Sequence, residues 1–408
     1  MLSGKFDSKN DPGQISHFQA LASALASTVG MGNIAGVAIA IHMGGPGSIF
    51  WMWITAVIGM STKFFTCTLA VMYRGRDDKG EIQGGTMYFI EKGLGPKFKP
   101  LANMFAIFGL LGSLTFFQAN QLSSVVMNFI YKPYGIFTND FFYGNLTTGI
   151  IISLLVGTVI FGGIKRISNV ASRMVPFMVS LYLFGAILII FKNTDKVLPI
   201  FNLIFTDAFS GNAVQGGTLG SMIIIGVRRG LFSNEAGTGT ETMAHGAVKT
   251  TEPIREGLVA MLGPFIDTLI VCTITALVIL ISGIYQNGET GVKLTIDSFS
   301  KELGLIGELL LIVAAITFAI STMFGYAYYG RKCASYLFGT KAKNMHSWFY
   351  ISTIIFSAMI KLDLVLNIVD SAFALMVIPT MTATILLSPK VLKESRKYFS
   401  SFDSSIHH

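Results

Sequence analysis

Long apolar stretches, separated by short polar and glycine-rich turns, dominate this chain. Several of them approach or exceed the ~20 residues that a helix needs to cross a bilayer. We therefore predict an all-α, polytopic membrane protein. Hydropathy predicts ten core transmembrane helices, at about 17–43, 46–73, 100–130, 145–163, 174–192, 214–246, 257–284, 304–337, 345–361 and 364–389.

The ten predicted spans divide evenly, with five before residue 193 and five after residue 213. An odd number of spans in each half gives the halves opposite orientations, as an inverted repeat requires. Between spans seven and eight, the alternating pattern of residues 292–302 predicts a short surface helix on the outer side. The predicted divisions are a polar N-terminal segment (1–13), a first five-helix repeat (14–192), an extracellular connection (193–213), a second five-helix repeat (214–389) and a cytoplasmic tail (390–408).

Two of the predicted spans, the first and the sixth, are interrupted by glycines. Gly30 and Gly32 interrupt the first, and Gly230 and Gly237 flank a polar stretch in the sixth. Irregular backbone at membrane depth is tolerated only where it is buried in protein or lines a cavity. Broken helices at corresponding places in two halves typically mark a transporter's central site. We therefore predict that both helices are discontinuous and meet near the membrane midplane.

Composition supports a membrane protein. Hydrophobic residues make up 52% of the chain and charged residues only 13%, with a mean hydropathy of +0.61, whereas soluble domains carry about 25% charged residues. The net charge of +8 does not indicate a nucleic-acid partner, because the basic residues gather in alternate loops. That alternation places the basic loops in the cytoplasm. We expect a multi-pass protein of the plasma (inner) membrane with both termini in the cytoplasm.

Nothing in the sequence favours an enzyme, because neither an HExxH nor a GxSxG motif occurs. The three cysteines, Cys67, Cys272 and Cys333, are widely spaced and predict neither a disulfide nor a metal site of the Cys/His type. Cys67 and Cys272 lie in apolar segments, where a small hydrophobic residue is the default interpretation.

The first break frees backbone groups that can hold ions. Carbonyls of Ala26 and Val29 can face a cation, while N–H groups near Met31, Gly32 and Asn33 can hold a carboxylate. The alternative is that the glycines only let helices pack closely. The amide of Asn33 and the presence of a second break favour a binding site.

The second break carries hydrogen-bonding side chains. Ser233 and Asn234 are the better candidates for direct contact with a ligand. Glu235 costs at least ~2.5 kcal/mol in a membrane span, so it should face a cavity or a partner. Either it contacts a ligand, or it is an internal brace that Arg228 or Arg229 neutralises.

Three further polar groups lie in predicted spans. Ser321 and Thr322 would give an alkali cation hard oxygen ligands if they faced the broken helix, but paired hydroxyls often bond back to their own turn. Gln118 and Asn120 serve either a ligand or the contact between helices. Asp267 either relays a proton or braces a helix.

At these residues the chain resembles the alanine or glycine:cation symporter family, which is part of the amino acid–polyamine–cation superfamily with the LeuT-type fold. The resemblance covers almost the whole chain. Its blocks are residues 15–21 (ISHFQAL), 32–38 (GNIAGVA), 44–47 (GGPG), 50–53 (FWMW), 84–88 (GGTMY), 229–237 (RGLFSNEAG), 265–268 (FIDT) and 271–273 (VCT).

The resemblance implies import of a small neutral amino acid, such as alanine or glycine, driven by a co-transported sodium ion through alternating access. It implies a sodium site between the first and eighth core helices, formed by the carbonyls of Ala26, Val29 and Phe318 and the hydroxyls of Ser321 and Thr322. The amino acid is then expected against Met31, Gly32, Asn33, Gln118, Phe232, Ser233, Asn234 and Glu235. Proton coupling or amino-acid exchange on the same fold, with Asp267 or Glu235 titrating, is the alternative.

The chain departs from the family pattern in three places. Members commonly read GTGN where this chain has GMGN at residues 30–33, so one hydroxyl is missing. They commonly read AGLGSAP where this chain has AGTGTET at residues 236–242. Members also begin with one more hydrophobic helix, which suggests a shortened start here. These differences bear on the choice of amino acid more than on the class of protein.

Overall fold

The computed structural model describes residue 2 and residues 11–137, 140–210 and 219–406, and it is dominated by helices. Most of the predicted N-terminal segment, residues 211–218 and the final two histidines lie outside the described residues. The α-helices are α1 (His17–Thr28), α2 (Val37–Gly44), α3 (Ser48–Met72), α4 (Thr86–Leu94), α5 (Lys99–Gly112), α6 (Phe116–Val126), α7 (Phe141–Ile160), α8 (Gly163–Lys192), α9 (Thr194–Ser210), α10 (Leu219–Asn234), α11 (Thr242–His245), α12 (Pro253–Ala260), α13 (Leu262–Pro264), α14 (Thr273–Ser282), α15 (Gly291–Leu303), α16 (Leu305–Phe338), α17 (Ala342–Ser357) and α18 (Leu362–Ile406).

Shorter elements connect these helices. Strands β1 (Gly75–Arg76) and β2 (Ile82–Gln83) form a small antiparallel hairpin after α3. The remaining helical turns are of the 3₁₀ type at Pro96–Phe98 and Ile284–Asn287, and of the π type at Gly32–Gly36, Met127–Tyr131 and Phe265–Cys272. π-helical turns carry an extra residue and are frequent at functional sites.

Length and composition allow seven helices of the described residues to cross a membrane, or eight if the bent pair of α1 and α2 is one span. Large apolar side chains such as Phe191 and Ile306 are mostly exposed on the outside of the bundle, where lipid would cover them. The predicted spans 214–246 and 345–361 correspond to α10 with α11 and to α17. Because α10 and α17 have only 16 residues each, the count of ten stays a prediction.

The chain bends by 50° between α1 and the helical stretch that begins at Gly32. We expected Gly30 and Gly32 to supply unusual backbone angles, but neither has a positive φ. Neighbouring side chains instead pack so closely on both positions that they leave little space for a Cβ atom. A Cβ on Gly30 would overlap the hydroxyl of Thr322, and one on Gly32 would lie 3.3 Å from the ring of Phe232.

The chain leaves helical geometry again between α10 and α11, from residue 235 to 241. The predicted start of this break was wrong, because Gly230 lies inside α10 and lets that helix pack closely on Thr55 of α3, whereas the predicted end, Gly237, lies within the break. The left-handed backbone angles belong to Glu235 (φ 56°), Gly237 (φ 87°) and Gly239 (φ 83°). We call residues 235–241 the second break and residues 29–31 the first.

One end of the bundle, which we call the terminal end, holds residues 11–16, residues 246–250 and Tyr398. There Ile15 and Val248 form a parallel bridge, and the Lys249 N–H donates to the Ile15 carbonyl at 2.7 Å. Arg74 donates to four carbonyls from both segments, those of Pro12, Gly246, Val248 and Thr250. Burial lowers the pKa of Arg74 to about 10, which leaves it cationic at neutral pH.

A buried carboxylate ties three helices together beside this end. Glu256 of α12 contacts His17 of α1 and lies 2.5 Å from the Nδ1 atom of His245 on α11. All three side chains are essentially inaccessible to solvent. The helix before the first break is therefore joined to the helices after the second break, beside the terminal end.

At the opposite end, the predicted surface helix is present as α15, but one of its faces is buried. The Thr295 hydroxyl donates to the Ile34 carbonyl at 3.1 Å, and Gln121 accepts from the Val292 N–H at 3.1 Å. The described part of the predicted connection 193–213 contains α9, and Asp207 of that helix accepts from the Gly47 N–H at 2.7 Å. Both elements therefore pack on the core.

Candidate functional site

Asn33, in the π-helical turn after the first break, connects three parts of the chain. Its side-chain oxygen accepts from the Gly30 N–H at 2.8 Å, which closes the first break. Its amide nitrogen donates to the Oδ1 atom and the carbonyl oxygen of Asp267, at 2.6 and 3.0 Å. Because Asp267 lies in the π-helical turn before α14, Asn33 fixes the position of the first break relative to that turn.

Asp267 is fully buried and accepts hydrogen bonds on both carboxylate oxygens. Besides Asn33, the hydroxyls of Ser233 and Thr268 donate to its Oδ2 atom at 2.7 and 2.9 Å. An ionised carboxylate only accepts hydrogen bonds, so a set of donors around both oxygens suits the charged form. Of the two roles left open for Asp267, this geometry favours the brace.

Cys272 joins the same group of residues, contrary to its interpretation as a purely apolar residue. Its sulfur lies 3.1 Å from the Ser233 hydroxyl and 3.3 Å from the Asn33 amide nitrogen. We call Asn33, Ser233, Asp267, Thr268 and Cys272 the Asn33 cluster. It contains the predicted site residues Asn33 and Ser233, the acid Asp267 in one of its two predicted roles, and two residues, Thr268 and Cys272, for which the sequence indicated no such contact.

Asn234 lies beside this cluster and completes the end of α10. Its amide donates to the Thr268 hydroxyl at 3.1 Å, and its side-chain oxygen accepts from the Ala236 N–H at 2.9 Å. The side chain thus caps the start of the second break. The predicted residues Asn33, Ser233 and Asn234 are brought together, although 200 positions separate the first two.

Glu235 faces away from the cluster and is held by other groups. The Tyr326 hydroxyl donates to its Oε1 atom at 2.6 Å, and the Thr240 hydroxyl donates to its Oε2 atom. The expected neutralisation by an arginine was wrong, because Arg229 forms an ion pair with Asp370 of α18 instead. Both oxygens of Glu235 are used within the protein, so the geometry favours a brace that fixes a strained backbone residue.

Aromatic rings lie over Gly32. The Phe232 ring centre is 4.9 Å from that of Phe117 and 6.0 Å from that of Phe373. A cavity of about 340 Å³ between α10 and α18 borders Phe232, Thr238, Asp370 and Phe373. It reaches from the ion pair of Arg229 to the second break.

Gln118 and Met31 are buried next to these rings, with 3% and no exposed surface respectively. Gln118 follows Phe117 directly. Within the described residues it forms no hydrogen bond to another predicted site residue. The predicted amide neighbour Asn120 instead donates to the Ile360 carbonyl at 2.5 Å, so it links helices.

The predicted cation ligands of α16 lie against the first break. Ser321 and Thr322 both donate to the Phe318 carbonyl, at 2.9 and 3.0 Å, as paired hydroxyls often do. Their oxygens keep lone pairs that accept no bond within the turn. A Cβ on Gly30 would lie 3.5 Å from the Phe318 carbonyl oxygen. The hydroxyls of Ser321 and Thr322 and the carbonyl of Phe318 therefore lie next to the end of α1.

The other two predicted cation ligands, Ala26 and Val29, lie in the last turn of α1 and its C-cap, and both are fully buried. No group of three or more His, Cys, Asp or Glu side chains suited to a metal ion occurs in the described part of the chain. What lies here is a set of carbonyl and hydroxyl oxygens, which are ligands for hard cations rather than for transition metals.

The fold matches a solved structure. The chain is similar to MhsT in complex with L-phenylalanine, with a TM-score of 0.67 and 16% sequence identity, over 92% of this chain and 89% of that one. An identity this low shows the fold alone, and MhsT has the LeuT-type fold. The described architecture is therefore the LeuT-type fold.

The family follows from the sequence comparison. The family model described as "Sodium:alanine symporter family" matches residues 1–407, and the chain belongs to this family. It is 41% identical to the sodium/alanine symporter AgcS of Methanococcus maripaludis, over 97% of this chain and 86% of the relative. It is also 41% identical to an uncharacterized transporter of Haemophilus influenzae, over 96% and 85% of the two chains. The family resemblance and the fold class predicted from the sequence are confirmed.

Proposed function

We propose that this protein is a sodium-coupled symporter that imports a small neutral amino acid by alternating access. The observation that carries the proposal is the contact between the first break and α16. There Gly30 brings the end of α1 against the hydroxyl of Thr322 and the carbonyl of Phe318. Membership of a family of amino-acid and cation symporters supports it.

The proposed sodium ion lies between α1 and α16. Its ligands are the carbonyls of Ala26, Val29 and Phe318 and the hydroxyls of Ser321 and Thr322. Support comes from the oxygen-only character of this group and from its burial. A sodium ion moving through −100 mV gains about 2.3 kcal/mol, which is worth roughly fiftyfold accumulation of the amino acid before any sodium gradient is counted.

The proposed amino-acid site lies between the two breaks. N–H groups at Met31 and Gly32 face the carboxylate, with Ser233 and Asn234 on the other side. The predicted N–H of Asn33 instead donates to the Gly30 carbonyl at 3.1 Å, so Asn33 shapes the site. Gln118 and Phe232 complete the site, while Glu235 holds the second break in shape. The close approach of Phe117 and Phe232 to Gly32 limits the size of a side chain at this point, which supports an alanine- or glycine-like amino acid.

Counterflow in proteoliposomes tests this function. The purified protein should exchange a small neutral amino acid from a panel, and net uptake should require sodium. Replacing Ser321 and Thr322 together by alanine should raise the half-saturating sodium concentration at least about tenfold, which corresponds to ~1.4 kcal/mol of binding.

The matched control is Thr317→Ala, one turn earlier on α16, whose hydroxyl bonds back to Val313 and Ala314. It should leave sodium activation unchanged. An unaltered sodium response in a well-folded double variant would remove the assignment of these two hydroxyls. Uptake that follows external pH and ignores sodium would replace the proposal by proton-coupled transport.

A further inference from the structure

Buried charges in the described part of the bundle fall into compensated and uncompensated sets. Arg229 is paired with Asp370, and Glu256 lies between two imidazoles. Lys332 donates to Gln83 at the terminal end, where Asp77 and Glu81 are its acidic neighbours. The buried charged side chains that remain are Lys63, Glu235, Glu241 and Asp267.

Three acids thus face one base in the middle of the protein. Lys63 of α3 is 1% exposed and acts electrostatically on Glu235 and Asp267. Within the described residues it forms no ion pair shorter than 4.0 Å. With all three acids ionised, two negative charges stay uncompensated, and burying unpaired charge in a protein interior costs several kcal/mol per ion.

Glu241, at the end of the second break, differs from the other two acids. Both oxygens of Glu235 and of Asp267 accept hydrogen bonds from protein donors. The Oε1 atom of Glu241 accepts from the Thr66 hydroxyl at 2.8 Å. Its Oε2 atom is fully buried and has no hydrogen-bond partner among the described residues. A buried polar atom of this kind calls for a partner such as an ion or a water.

Two neighbours of Glu241 carry hydroxyl oxygens. Thr66 of α3 donates to its carboxylate, and Thr240, which precedes it in the chain, lies 3.0 Å from the Thr238 hydroxyl and donates to Glu235. Carboxylate and hydroxyl oxygens are the ligands that hard cations prefer. The local chemistry therefore fits a small monovalent cation.

We propose that the open Oε2 atom of Glu241 marks a second site for a monovalent cation, between α3 and the second break, with Thr66 as its neighbour. The inference rests on the proposed function, because the sodium ion between α1 and α16 compensates only one of the two negative charges. An amino-acid zwitterion adds no net charge. The second cation, a sodium ion or a proton, compensates the other.

The charged and titratable groups that face Glu241 come from several elements. Cys67 on α3, Glu235 in the second break and Tyr329 on α16 interact electrostatically with Glu241, Lys63 and Glu256 lie near the same Cys67 thiol, and the backbone N–H of His245 on α11 donates to the Glu241 carbonyl. Of these, Lys63 is the fixed cation, and the carboxylate of Glu256 already contacts His17 and His245.

The number of charges that cross the membrane with each amino acid tests this site. Reversal potentials of amino-acid flux in proteoliposomes should give two positive charges per amino acid for the native protein and one for Glu241→Gln. Separate sodium and pH gradients then identify the second cation. The control Glu394→Gln, on the exposed end of α18, should keep two charges. Thr66→Val should also keep two, with a several-fold weaker affinity for one cation.

Sodium binding to the detergent-purified protein provides a second measurement that does not need transport. Two equivalents of radioactive sodium, or one equivalent with the uptake of one proton, should bind to the native protein, and one equivalent to Glu241→Gln. A single cation in the native protein, or two in both proteins, overturns the second site and leaves the proposed symport standing. Absent amino-acid flux would overturn the symport, while the binding count would still decide the site.

Discussion

The two breaks in the helices are held in place by different kinds of groups. The first is short, and the neutral amide of Asn33 holds it: the side-chain oxygen accepts from Gly30, which packs on Thr322, and the amide nitrogen donates to Asp267. The second spans seven residues, and buried carboxylates hold it, with Glu235 fixed by Thr240 and Tyr326. Ions and ligands can bind and leave beside a neutral amide at low cost. Buried carboxylates, in contrast, require compensating positive charge nearby.

This comparison predicts that the second break tolerates change less well than the first. Gly239→Ala should have the largest effect, because Gly239 has φ 83° and a Cβ would overlap the hydroxyl of Thr86. Backbone strain and overlap together should cost about 3 kcal/mol or more and abolish uptake. Thermal unfolding in detergent and uptake in proteoliposomes measure the two effects.

Gly230→Ala is the matched control, since sequence alone placed the break at Gly230. That residue lies inside α10, and its Cβ would lie 3.0 Å from the Cβ of Thr55. The cost should be clearly smaller than that of Gly239→Ala. Equal or greater damage at Gly230 would contradict the position of the break.

The next largest effect is expected at the first break. Gly30→Ala should push α1 away from α16, because the new methyl group would overlap the Thr322 hydroxyl. A cost of about 1–3 kcal/mol in stability is typical of such overpacking. Sodium activation should weaken more than amino-acid binding does, and sodium titration of uptake separates the two.

Gly36→Ala is the control in the same stretch of chain. The nearest atom to its Cβ would be on the Phe232 ring at 3.8 Å, an ordinary contact, and its backbone is helical. Sodium activation should stay at the native level. If Gly36→Ala and Gly30→Ala weakened it equally, close packing on α16 would not be the reason for Gly30.

The smallest effect is expected from removing the charge of Asp77, which lies outside both breaks. Burial opposes ionisation of Asp77, but hydrogen bonds from Lys343 and from the amides of Lys79 and Glu81 outweigh it and hold its pKa below the usual range. Asp77→Asn should cost at most about 1 kcal/mol at neutral pH.

The dependence on pH follows from the direction of that pKa shift. The carboxylate stabilises the fold above the unfolded-state pKa of about 4, and the contribution is lost as pH falls through the lowered folded pKa. The melting temperatures of Asp77→Asn and the native protein should therefore converge in acid. A difference that grows on acidification would show that Lys343 does not stabilise the ionised form.

Local features of the sequence were enough to predict the fold class and the first break. The apolar stretches are long, and the pair Gly30 and Asn33 stands out in one of them. The second break was misplaced because Gly230 is equally visible but serves the contact with α3. What actually interrupts the helix is Glu235 in a left-handed conformation, which a non-glycine residue adopts only when its surroundings hold it there.

Contacts between distant segments were beyond prediction from one sequence. Asn33 and Asp267 lie 234 positions apart, and the sequence around each residue is compatible with more than one role for its side chain. The same holds for His17 and Glu256, which lie 239 positions apart. Arg228 and Arg229 were the candidates to neutralise Glu235 because they are close to it along the chain, whereas the fold pairs Arg229 with Asp370.

The clamp formed by Arg74 has a consequence for how the protein moves. The guanidinium of Arg74 donates hydrogen bonds both to the residues that precede α1 and to those that follow α11, so it opposes the separate displacement of either stretch. Motion at this end must either carry both stretches as one piece or break the bond from Arg74 to Pro12 together with the bridge between Ile15 and Val248. Opening towards that side should then favour joint movement of the two stretches.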